Sequence, residues 1–142
     1  MRIVPSTEEH IQWIVKKIDH LRISDSRGIS AISDQGELYC ICLMDSWTPG
    51  SVQVHIAIEN PPGLKNYTFL YEVFNYIFNV GDRQTAIGFV SSENAKALKF
   101  DKKIGFKEIA RIRDGARKNV DTVILELHRD DCKWIKRKEE AA

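Results

Sequence analysis

The stretch between residues 51 and 90 limits the fold of this chain more than any other. Val52, Val54, Ile56 and Ile58 alternate with Gln53, His55, Ala57 and Glu59. Alternation with a period of two makes Ser51 to Glu59 a strand with one apolar face. Asn60-Pro61-Pro62-Gly63 must be loop. Leu70, Val73, Phe74 and Ile77 then recur at helical spacing, which predicts a helix from about Tyr67 to Val80 with Gly81 at its end. Thr85 to Val90 is short and nearly all apolar, the pattern of a strand buried on both faces. Strand, helix and buried strand in that order form one crossover unit.

The flanking segments are organised differently. Ser6-Thr7-Glu8-Glu9 reads as a capping box, with Ser6 accepting free helix N–H groups and Glu9 reaching back. Ile11, Ile14, Val15, Ile18 and Leu21 give the following helix, about Thr7 to Leu21, one apolar stripe. Ile29–Ser33 and Glu37–Met44 read as a hairpin around Asp34-Gln35-Gly36, and Trp47-Thr48-Pro49-Gly50 breaks the chain. Asn94 opens a helix that closes at Gly105. Phe106–Arg113 and Val120–His128 then form a second hairpin around Asp114-Gly115. Hairpins combined with one crossover predict an α/β domain, a mixed α+β sheet covered by helices. That domain spans residues 1–132, and residues 133–142 form a charged tail, read as a short helix end or a frayed terminus.

Composition narrows the function. With 21 basic and 20 acidic residues the formal net charge is +1, so no global field points to nucleic acid or an anionic membrane. No apolar run approaches the ~20 residues needed to cross a bilayer, and no secretory leader precedes the first helix; the cytoplasm is the expected compartment. Cys40 and Cys42 sit two apart in an apolar strand and read as small core residues; with Cys132 they make an odd set. No Cys/His spacing resembles a metal site, so no metal is expected. Tyr39, Trp47 and Trp134 are candidates for a homodimer interface.

The segment Asn94-Ala95-Lys96-Ala97-Leu98-Lys99-Phe100-Asp101-Lys102-Lys103-Ile104-Gly105-Phe106 resembles the GNAT N-acyltransferases, which pair a helix-opening Asn with a closing Gly-Phe. The hairpin from Lys107 to Leu127 resembles the closing hairpin of the same family, closest to the branch that acetylates ribosomal-protein N-termini. Leu98-Lys99-Phe100-Asp101 and His128-Arg129-Asp130-Asp131-Cys132 resemble small GNAT proteins of phages and prophages, which would place the protein in a host cytoplasm. The resemblance implies a GNAT fold with helices on both faces, whose fourth and fifth strands, here Gln53–Glu59 and Thr85–Val90, splay apart. Acetyl-CoA would lie in that gap as acyl donor, and an amine would be the acceptor. The backbone of Ile56, Ala57 and Ile58 would pair with the pantetheine amides like an added strand, and one N–H would stabilise the oxyanion. Asn94 would contact the pantetheine arm, with Phe100 and Lys103 on the same helix as further cofactor contacts.

Two departures from the family stand out. Relatives carry an Arg/Gln-x-x-Gly-x-Gly/Ala loop that cradles the pyrophosphate. This chain has Pro61-Pro62-Gly63-Leu64-Lys65-Asn66-Tyr67-Thr68, where Gly63, Lys65, Asn66 and Thr68 are the candidate phosphate contacts and the prolines supply no N–H. Asp101 stands where many relatives have a tyrosine that protonates the leaving thiolate. A carboxylate with an ordinary pKa near 3.9 is ionised at neutral pH and does not donate. It lies on an inward stripe with Ala97, Leu98 and Ile104, which calls for a structural partner or a polar cleft.

The base is the remaining role. Alkyl amines are protonated at pH 7, so a group or a water chain must take a proton. His55 and Glu59 share one strand face, roughly 13 Å apart, too far to serve one atom. Histidine as a residue type titrates nearer neutrality. His55 also reads as a half-buried sheet histidine, and Glu59 as an exposed strand-end carboxylate. The chain reads either as an N-acetyltransferase working by direct transfer in a ternary complex, or as a GNAT-fold binding or assembly module without catalysis. Arg111, Arg113, Arg117 and Lys118 on the last hairpin suit an acidic substrate better than nucleic acid, because no interleaved aromatic surface accompanies them.

Overall fold

The computed structural model describes residues 1–17, 26–59 and 67–136. Seven strands form one mixed sheet: β1 (Arg2–Pro5), β2 (Arg27–Ile32), β3 (Leu38–Asp45), β4 (Ser51–Ile58), β5 (Thr85–Ser91), β6 (Lys107–Arg117) and β7 (Val120–His128). Their spatial order is β1-β2-β3-β4-β5-β7-β6. All neighbours are antiparallel except β4 and β5, the parallel pair joined by the crossover. Among the described residues the α-helices that cover it are α1 (Glu8–Lys17), α2 (Tyr67–Asn75) and α3 (Ala95–Ile104).

The alternation in β4 sorts the layers. Val52 and Val54 are buried, with Ile56 and Ile58 partly so, in the main core with α2 and α3; Ala57, one residue out of phase, packs with Ile14, Ile41 and Leu43 beneath α1. Helices therefore lie on both faces, as anticipated. Phe74 is fully buried between Phe78 and Phe106, with ring centroids 6.0 and 6.3 Å away. Phe106 reaches that position because Gly105 ends α3 at φ 122°, a value L side chains resist. Cys40 and Cys42 are fully buried core residues, and burial pushes the Cys40 thiol up to about 12.

Several local expectations are corrected. β1 was missed, because Ile3 and Val4 give too short a pattern; Pro5 is tolerated since β1 is an edge strand. The capping box sits one residue later than expected. Thr7 N–H donates to His10 Nδ1 (3.0 Å) and His10 N–H donates to Thr7 Oγ1 (3.2 Å), while the Ser6 hydroxyl is engaged with Ser30 Oγ at 2.7 Å. Ile18 and Leu21 lie outside the described residues. After α2 the last turn, Tyr76–Val80, widens to π geometry and ends at Gly81 as expected, with Gly81 N–H donating to Tyr76 O and Gly81 itself right-handed. The hairpin turns at Lys118-Asn119, with Arg117 opposite Val120, and not at Asp114-Gly115. Those two residues form a bulge in β6 (Asp114 φ 57°), since positive-φ tolerance serves a bulge as well as a turn.

Residues 133–136 are helical, Ile135 is buried, Trp134 Nε1 donates to Ile104 O (2.8 Å) and Tyr67 Oη donates to Trp134 O (2.7 Å). The rest of the expected tail lies outside the described residues. Trp47 packs against Tyr76 with the guanidinium groups of Arg27 and Arg83 near its ring, and Trp47 and Trp134 are both partly buried against the main core.

Candidate active site

β4 and β5 are paired only through Ser51–Thr85, Val52–Ala86 and Gln53–Ile87. β4 continues to Ile58 in register with β3, and β5 continues to Ser91 in register with β7. Each strand follows its outer neighbour, so the sheet parts at this one seam, as the family resemblance implied. β5 is consequently not covered on both faces along its length: Phe89 is 40% exposed at the opening. The parting creates a cleft of about 800 Å³. Val54, Ile56 and Ile58 line it from β4, Phe89 to Ser91 from β5, and Asn94, Ala97, Phe100 and Asp101 from α3. His55 and Lys17 reach it from the α1 side, and Gly115, Ala116 and Arg117 of the β6 bulge wall it off. Side chains from both sheet faces thus meet in one space.

His55 is held there by a group the sequence reading missed. Its Nε2 lies 3.2 Å from both carboxylate oxygens of Asp45, and both side chains are largely buried. An ionised carboxylate only accepts, so Nε2 is the donor in this pair, and in the neutral imidazole Nδ1 is then the nitrogen with the lone pair. Asp45 ends an apolar run, Leu38 to Met44, and a carboxylate closing such a run was the available signal. Only the β3–β4 register, with Leu43 opposite His55 and Asp45 opposite Gln53, brings it to the imidazole.

Asn94 caps α3, its Oδ1 accepting Ala97 N–H at 3.1 Å, which leaves the amide NH₂ at the cleft. Asp101 projects from the next turns of α3. Its carboxylate accepts no hydrogen bond from any described side chain or backbone N–H, so the structural partner anticipated for it is absent among the described residues. Burial pushes its pKa up to about 6, which corrects the expectation of an ordinary aspartate. The folded value exceeds that of the unfolded chain. Between pH 4 and 6 the folded state therefore holds a proton that the unfolded chain releases. This group costs stability above about pH 6 and nothing below about pH 4. Asp101→Asn is accordingly expected to raise stability at pH 7.5 by about 1–3 kcal/mol and to leave it unchanged at pH 4, measured by urea unfolding at both pH values.

The other expected contacts are dispersed. Glu59 is exposed, pairs with Lys17 at 3.6 Å and does not line the cleft, because β4 has ended. Ala57 does not line the cleft; it packs on the other face with Ile14, Ile41 and Leu43. Lys103 lies two turns down α3 from Lys96, where its carbonyl accepts from Lys133 Nζ, and Thr68 is exposed in the first turn of α2; neither lines the cleft. Gly63, Lys65 and Asn66 lie outside the described residues. Among the described residues no group of three His, Cys, Asp or Glu side chains is arranged to hold a metal ion, and no helix is long and apolar enough to cross a membrane.

This architecture is the GNAT acetyltransferase fold. A chimera of the Vibrio cholerae spermidine N-acetyltransferase SpeG with hSSAT superposes with a TM-score of 0.71 at 13% identity, covering 94% of this chain and 98% of that one. A candidate acetyltransferase from Acinetobacter baylyi gives 0.70 at 16% identity, covering 92% and 93%. The Vibrio cholerae spermidine N-acetyltransferase in complex with CoA and spermine gives 0.63 at 16% identity, covering 89% and 78%. Neither a family model nor a curated protein sequence matches the chain.

Proposed function

We propose that this protein is an N-acetyltransferase that moves an acetyl group from acetyl-CoA to an amine by direct transfer in a ternary complex. The observation that carries the reading is the parting of β4 and β5 beyond Gln53 and Ile87. It frees the edge of β4 to bind an extended pantetheine arm and leaves a cleft reached from both sheet faces. The fold shared with acetyltransferases, one of them solved with CoA and spermine, supports it. The resemblance of the hairpin 107–127 to the ribosomal N-terminal branch, and of residues 98–101 and 128–132 to small phage GNAT proteins, is the finer ground for placing it among small cytoplasmic enzymes.

In this reading the Asn94 amide donates to a pantetheine carbonyl, and an N–H within Ile56–Ile58 receives the oxyanion. The amine nitrogen attacks the thioester carbonyl carbon, a C–N bond forms, the C–S bond breaks, and CoA leaves as its thiolate. The proton lost by nitrogen passes to His55 Nδ1, oriented by Asp45, and then to solvent. With no tyrosine acid in place, departure relies on the thiol's own acidity, near 8.5. No covalent enzyme intermediate is needed, and the three cysteines are buried.

Calorimetric titration with acetyl-CoA, followed by thiol release across an amine panel, tests this. Because all three cysteines are buried, a thiol reagent reports CoA alone. Heat of binding together with amine-dependent thiol release is expected; no heat at millimolar acetyl-CoA defeats the proposal. Asp101 in the tyrosine position favours a second reading, a binding module without catalysis, which predicts heat and no thiol release.

A further inference from the structure

We infer that the acceptor is an amine bearing an anionic group close to its reacting nitrogen, and not a polycation; this rests on the acetyl-transfer reading above. The chain is nearly balanced in charge, yet the balance is uneven in space. Residues 107–119 hold five basic side chains and two acidic ones. Both acids are already engaged: Glu108 with Arg111 at 2.9 Å, and Asp114, whose Oδ1 accepts Asn119 N–H at 2.8 Å. Arg113 and Lys118 have no acidic partner among the described residues. All of β6 is exposed, and its bulge forms one wall of the cleft.

The bulge is built to stay there. Asp121 Oδ1 accepts Asp114 N–H at 3.2 Å, and a Cβ on Gly115 would come within 2.9 Å of Thr122 Oγ1, so the strand packs closely against β7 at this point. Arg117 is tied to Glu93 at the entry to α3. Across the opening stand Lys17 and Lys96. The charged groups lining the cleft are thus three cations, with Asp101 the one carboxylate among the described residues. Glu59 and Glu93, which pair with Lys17 and Arg117, stand outside that lining. A polycation entering such a cleft meets Lys96, which has no acidic partner among the described residues, and would have to compete with Lys17 and Arg117 for their carboxylates. A carboxylate next to the amine instead offers the Arg117 fork an acceptor, and the positive mouth raises its local concentration.

The test is thiol release by the full chain at saturating acetyl-CoA with four acceptors: a peptide with an acidic N-terminal sequence, a matched lysine-rich peptide, free glutamate, and spermidine. The expected result is a kcat/KM about tenfold or more higher for the acidic acceptors, with the advantage shrinking as salt rises. Preference for the peptide over free glutamate identifies a polypeptide N-terminus as the source of the amine, and the reverse a small molecule; either supports the inference. Arg117→Glu is expected to lower kcat/KM for the acidic acceptors about tenfold and to raise that for spermidine, a gain that damage to the bulge does not produce. The double variant Arg113→Glu, Lys118→Glu, outside the cleft lining, shifts the preference in the same direction. Turnover led by spermidine or the lysine-rich peptide overturns this inference and leaves acetyl transfer standing. Thiol release with none of the acceptors overturns both.

Discussion

Replacement of His55 is expected to lower the turnover of acetyl transfer by about 10²–10⁴-fold without loss of acetyl-CoA binding. The imidazole lines the cleft, and its orientation is fixed by Asp45, 3.2 Å from Nε2 at both oxygens. That pairing commits Nε2 as donor, and in the proposed mechanism the neutral ring's Nδ1 takes the proton. His55→Ala by itself confounds two effects, because it also strands a largely buried carboxylate, a loss worth about 1–3 kcal/mol of stability. His55→Gln separates them: the amide still donates to Asp45 but accepts no proton from an amine. Single-turnover rates across pH on both variants, beside their melting temperatures, give the answer. A folded His55→Gln protein with wild-type turnover removes His55 from the chemistry. Asp45→Asn should give a milder loss, since it spoils orientation and leaves the base in place.

The largest expected effect on stability belongs to Phe74→Ala, a loss of about 3–5 kcal/mol. Phe74 is fully buried, touches the rings of Phe78 and Phe106, and joins α2 to the chain leaving α3. The cavity left by the ring cannot collapse easily, because the sheet residues beneath it are held by pairing on both sides. Phe74→Leu, which keeps most of the volume, should cost less. Urea unfolding should show the midpoint falling with the slope unchanged; a loss below about 1 kcal/mol would mean that α2 and the end of α3 are not packed this way.

These two predictions differ in how far the sequence alone supports them. Phe74 was recognisable as core from its place in the Leu70–Ile77 stripe. His55 was recognisable as a candidate, yet its partner was not, because Asp45 sat just past the expected end of its strand. The helix Ala95–Ile104 was found with both caps, since Asn94 and Gly105 act on neighbouring N–H and C=O groups. By contrast Asp114-Gly115 carries the chemistry of a hairpin turn, and nothing local distinguishes a turn from a bulge. The choice came from β7, where Asp121 binds Asp114 N–H and Val120 pairs with Arg117. Ser6 likewise has the right chemistry for an N-cap and lost the position to Thr7, because Ser30 on β2 engages its hydroxyl.

The amino-acid order alone therefore settled the crossover, the succession of strands and helices after β1 and the caps of α3, because periodicity and capping act over a handful of neighbouring residues. Tertiary structure decided the rest of the site: how far β4 and β5 part, which carboxylate holds His55 across ten residues, how deeply Asp101 is buried, and that a bulge of β6 brings Arg117 to the wall of the cleft. Each of those depends on strand register and on groups distant in the chain, and the energy that fixes them exists only once the sheet has formed.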